Sequence, residues 1–78
     1  MKRADINRQI LLVLSRAEAS LDEAVLHAQV QARLSRLDYH GLMGALRELE
    51  EGGYVMRFAH ATGDRWAITD RGNLEINQ

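Results

Sequence analysis

Apolar residues recur every three or four positions in the first half of this chain and every second position later on. The first period belongs to helices that bury one face, the second to half-buried strands. Ile6, Ile10, Val13, Leu14 and Ala17 form one stripe, with Asn7, Arg8 and Ser15 on the other side. They predict a helix over Asp5–Ala17, capped by Asp5 and made central by the extra apolar width of Leu11 and Leu12. Ser20-Leu21-Asp22-Glu23 reads as a capping box, in which the Ser oxygen takes an orphan backbone N–H and the Glu reaches back. A second helix is therefore expected from Leu21 to about Arg33. Val25, Ala28 and Ala32 line its inner side, and Leu26, Val30 and Leu34 extend it. Asp38 caps a third helix whose stripe is Leu42, Ala45, Leu46 and Leu49. Tyr39, His40, Met43, Arg47 and Glu50 face outward, and Gly52-Gly53 stops it.

Beyond the glycine pair, Tyr54, Met56 and Phe58 alternate with Val55, Arg57 and Ala59 as a strand would. Ala61-Thr62-Gly63-Asp64 is a turn, and Arg65–Thr69 is the returning strand, with Trp66 and Ile68 on one face. The order is thus three helices and a β-hairpin. The tail carrying Leu74 and Ile76 reads equally as a last helical turn or a third strand.

Length and composition narrow the function classes. At 78 residues the chain is one domain, 1–78, and a chain of this size buries only about 60% of its unfolded surface. With no Cys and three His there is neither a disulfide framework nor a thiolate zinc site to support it, so packing must. The longest apolar run, Ile10–Leu14, is too short to cross a bilayer, and no signal-peptide pattern follows Lys2 and Arg3. A cytoplasmic protein without a membrane partner is the expectation. A net charge of −1 argues against a life of non-specific electrostatics.

Leu42–Val55 includes Leu46, Leu49, Glu50, Gly53, Tyr54 and Val55 in the spacing Leu-x-x-Leu-Glu-x-x-Gly-φ-Val. This resembles the end of the recognition helix in bacterial winged helix-turn-helix proteins. Ile68-Thr69-Asp70-Arg71-Gly72 is similar to the Leu/Ile-Thr-x-x-Gly after the wing in MarR- and PadR-like regulators. The resemblance implies an α+β winged helix-turn-helix. It also implies double-stranded DNA as partner, the third helix in the major groove, the wing on the backbone, and a role as transcriptional regulator or accessory factor. Fold alone does not settle function. Those regulators pair through helices outside the winged core, so a monomer or a weak homodimer is expected here.

The residues placed on such an interface are Arg36, Tyr39, His40, Met43, Arg47, His60 and Arg65. Only Arg47 is a strong reader of base edges, and Asp38, Glu48, Glu50 and Glu51 keep the helix from being electropositive. Arg36, Arg65 and the basic N-terminal stretch of Lys2, Arg3, Arg8 and Arg16 would follow phosphates. The second reading is a protein-interaction module, such as an adaptor or inhibitor, with Tyr39, His40 and Met43 forming a soft patch poor for phosphates. Catalysis is not expected, nor is a cofactor, a metal or a small-molecule ligand. His27, His40 and His60 fall on three elements with no zinc spacing, and no Ser sits in a nucleophile elbow. Trp66 reads as packed under the wing. Gly41 and Gly44 within one turn are costly in a helix, and Gly44 reads as a place where something approaches the backbone closely.

Overall fold

The computed structural model describes residues 2–77. Its elements are α1 (Arg3–Arg16), β1 (Leu21–Asp22), α2 (Glu23–Gln31), α3 (Tyr39–Glu51), β2 (Val55–Phe58), β3 (Arg65–Ile68) and α4 (Asp70–Ile76). The strands form one antiparallel sheet in the order β1-β3-β2, making an α+β domain of four helices and three strands. Among the described residues no helix is long and apolar enough to cross a membrane.

α1 is the central helix, as its wide apolar face requires. It buries Ile6, Ile10, Leu11, Val13 and Leu14 and packs against α2, α3, α4 and β3. It starts earlier than its stripe suggests. Lys2 holds the N-cap position without a side-chain bond, and Asp5 lies inside the first turn, where a carboxylate still favours the helix dipole.

The capping box at Ser20 does not form. Leu21 and Asp22 are extended and pair with β3, Leu21 opposite Trp66 and Asp22 opposite Arg65. The Arg65 guanidinium donates from Nε to Ser20 Oγ at 2.9 Å and from Nη2 to the Ser20 carbonyl oxygen, so Ser20 is held at the sheet. Asp22 becomes the cap instead, accepting the Val25 N–H at 2.8 Å. The inner face of α2 is Leu26 and Val30, whereas Val25 and Ala28 are exposed. Both stripes satisfy the helical period, and the one with the larger side chains removes more apolar area from water.

The α2–α3 connection is pinned by a single carbonyl. Leu37 is buried, and its oxygen accepts from Gln31 Nε2 at 2.9 Å and from His27 Nε2 at 3.2 Å. Asp38 then caps α3, accepting the Gly41 N–H at 2.7 Å, and Leu42, Ala45, Leu46 and Leu49 are buried as expected. The helix ends at Gly52 and Gly53, the latter at φ +79°, where a side chain would be strained.

In the hairpin, Val55 and Trp66 are buried while Met56 and Phe58 lie on the exposed face. The tail is helical. Thr69 caps α4 by accepting the Gly72 N–H at 3.1 Å, and its hydroxyl donates to the Gly53 carbonyl at 2.6 Å. The Thr69 N–H in turn reaches the Tyr54 carbonyl at 3.1 Å. Gly72 is buried against this turn, where a Cβ would collide with the Tyr54 carbonyl oxygen and lie 2.6 Å from Ile68 Cγ1. The Thr-x-x-Gly spacing is thereby explained: Thr supplies the cap and the link to the α3–β2 turn, and Gly lets the two backbones meet.

Gly72→Ala should cost on the order of 1–3 kcal/mol in a urea melt, because a backbone oxygen cannot step aside. Gly44→Ala is the contrasting variant. Its Cβ would meet only the tip of Arg3 at 3.4 Å or more, and helix propensity should stabilise the fold by about 1 kcal/mol.

Candidate nucleic-acid interface

α3 presents one side that the rest of the described chain leaves uncovered. Tyr39 opens it at 48% exposure. Its ring stands edge-on to His27 and His40, with centroids 6.2 and 6.3 Å away, and its hydroxyl donates to Glu23 Oε1 at 3.2 Å. The other oxygen of Glu23 accepts the Trp66 indole N–H at 3.1 Å. The phenol is held above its ordinary pKa, first by the Glu23 charge and then by the hydrogen bond to it. The β2–β3 turn comes close to the same place: Thr62, Gly63 and Asp64 share a hollow with Tyr39, Glu23 and His27.

Farther along α3, His40 and Arg47 are exposed and Met43 is half-buried. Met43 and Arg47 line a second hollow with Glu50, Arg57, Asp64 and Trp66. Arg57 spans it, donating from Nε to Glu50 and from Nη1 to Asp64, both at 3.3 Å. Those bonds hold its guanidinium firmly charged, raised above the ordinary value. On the opposite flank Arg3 Nη1 lies 3.3 Å from Glu48 Oε2.

The expected site residues therefore separate. Tyr39, His40, Met43 and Arg47 share the α3 surface, and Arg36 is exposed just before the cap of that helix. His60 is exposed after β2, its Nδ1 accepting the Thr62 N–H at 3.4 Å. Arg65 is not a free cation on the hairpin, because its guanidinium is taken up by Ser20. Trp66, at 1% exposure, is a core residue. Glu23, Arg57, Asp64, Arg3 and Glu48 shape the surface, and the sequence reading gave none of them this part. The contacts of Glu23 and the Arg3–Glu48 pair join residues 16 to 45 positions apart, and those of Arg57 cross seven residues between α3, β2 and the hairpin turn, with no helical or strand spacing to betray them.

Five of the acids around α3 are engaged by an internal donor, whereas Glu51, exposed at the C-terminal end of the helix, has no partner among the described residues. Glu23 holds Tyr39 and Trp66, Asp38 the Gly41 N–H, Glu48 Arg3, and Glu50 and Asp64 hold Arg57. Arg36 and Arg47, by contrast, have no hydrogen-bond or ion-pair partner among the described residues. Among the described residues there is no group of three His, Cys, Asp or Glu side chains able to hold a metal ion. In comparisons with known proteins, no family model, no curated protein and no solved structure matches the chain.

Replacing Glu23 with Gln should lower the Tyr39 pKa toward the ordinary phenol value, as read from ring resonances in an NMR titration. The folded-state pKa is raised above the unfolded one, so the Tyr39 contribution to stability is present below pH 10 and lost as pH rises through the folded value. The variant should show less of this alkaline loss.

Proposed function

We propose that this chain is a small winged helix-turn-helix protein that binds double-stranded DNA through the exposed side of α3, as a regulator or an accessory DNA-binding factor. The element order and the β1-β3-β2 sheet are compatible with that layout. The observation that carries the reading is the state of the charges around α3. Glu23, Asp38, Glu48, Glu50 and Asp64 are satisfied internally, Glu51 at the far end of the helix is not, and Arg36 and Arg47 are left with side chains free to reach outward. Arg47 suits a bidentate base or phosphate contact, and Arg36, before the helix N-terminus, suits a phosphate. His40 and Tyr39 add polar edges beside them. With Arg65 bonded to Ser20 and Arg57 paired with Glu50 and Asp64, the number of phosphate contacts is small and binding is correspondingly weak and salt-sensitive.

A second reading has its own support. Tyr39, Met56 and Phe58 are 48%, 50% and 43% exposed, and such apolar side chains suit a protein partner better than phosphates. The two readings differ in their salt response. Phosphate contacts release counterions and weaken as salt rises, whereas an apolar contact does not.

Titration of a labelled random-sequence duplex should give a dissociation constant of roughly 1–100 μM, rising with salt with a log–log slope of about 2. Arg36→Ala and Arg47→Ala should each lower that slope by about one. Absence of binding at 50 mM salt (a low ionic strength, roughly the bottom of the range in which such contacts are measured) would refute the DNA reading. Partner binding that is indifferent to salt but lost in Tyr39→Ala would favour the protein module.

A further inference from the structure

Two guanidinium groups flank the exposed side of α3, and they are held differently. Arg57, on the wing side, is gripped by two carboxylates, Glu50 and Asp64. Arg3, at the start of α1, has one, Glu48 at 3.3 Å, and the side chains of this pair are 48% and 55% exposed. An exposed single ion pair adds little to stability and exchanges partners easily. The Arg3 guanidinium also lies across Gly44, where a Cβ would stand 3.4 Å from Nη1 and 3.6 Å from Nη2. Gly44 is one helical turn from His40 and less than one from Arg47, so the guanidinium lies beside the face those residues share.

We infer that Arg3 is a phosphate-binding arm that Glu48 keeps on the exposed side of α3, and that it exchanges the Glu48 carboxylate for a DNA phosphate on binding. Carboxylate and phosphate both accept the guanidinium fork, so the exchange needs only a side-chain rotation. Glu48 acts as an internal competitor: it holds the arm ready and lowers affinity for duplexes that offer no well-placed phosphate. The inference rests on the DNA reading above and adds a third cation to Arg36 and Arg47, which raises the expected salt slope of the wild type from about 2 to about 3.

A double-mutant cycle with Arg3→Ala, Glu48→Gln and the pair, titrated with random-sequence duplex at two salt concentrations, tests it. Arg3→Ala should weaken binding about three- to tenfold and lower the salt slope by about one. Glu48→Gln should tighten binding by a similar factor, and the double variant should bind like Arg3→Ala. If Glu48→Gln tightens binding equally in the Arg3→Ala background, Glu48 is only a repelling charge and the arm is refuted while the DNA reading stands. Unchanged affinity and slope in Arg3→Ala refute it in the same way. A wild-type chain that does not bind duplex at low salt overturns both. Circular dichroism and urea melts of each variant separate loss of binding from loss of fold.

Discussion

A buried indole must place its N–H, and in this domain the acceptor is Glu23 at the first turn of α2. Trp66 lies in the middle strand, opposite Leu21 on one side and Arg57 on the other, so meeting its needs fastens all three strands and α2 together. Glu23 has a second oxygen, and that one takes the Tyr39 hydroxyl at the start of α3. A requirement set in the core thereby reaches the helix that carries the candidate interface and orients its first aromatic residue. Arg65, next to Trp66 in the chain, fastens the same edge from the other face by holding Ser20.

The charges of α3 follow a similar economy. Its carboxylates at Glu48 and Glu50 each draw in an arginine from another element, α1 on one flank and β2 on the other. These pairs are exposed and individually weak. They decide which cations remain available at the surface more than how stable the domain is. A tally of charges along the helix counts every acid alike, whereas the spatial pairing leaves Arg36 and Arg47 unengaged while Glu48 and Glu50 already have donors and only Glu51, among the described acids of the helix, has none.

The hydrophobic residues that make the helices were legible in the chain, and so was most of their packing. The stripe of α3, its Asp38 cap and its glycine stop stand as read, and the hairpin has the strands and turn its alternation demands. Of the candidate interface, Tyr39, His40 and Arg47 are exposed on α3 as read, with Met43 half-buried beside them. The misreadings gather where two local solutions compete. At Ser20-Leu21-Asp22-Glu23 either Ser or Asp can cap a helix, and the sheet partner decides between them. In α2 two apolar stripes share the helical period, and the core takes the bulkier one.

Local order in this protein, then, was set by the sequence by itself: helical and strand periods, the Asp38 cap and the left-handed glycine at position 53 depend on neighbours within about one turn of chain. The tertiary structure alone decided β1, the helical state of the tail, and the partners of Ser20, Arg65, Arg3 and Glu48, which join positions as many as 45 residues apart. The physical reason is that a cap or a period is a short-range preference of the backbone. Which guanidinium finds which carboxylate is settled only when folding has brought the elements together.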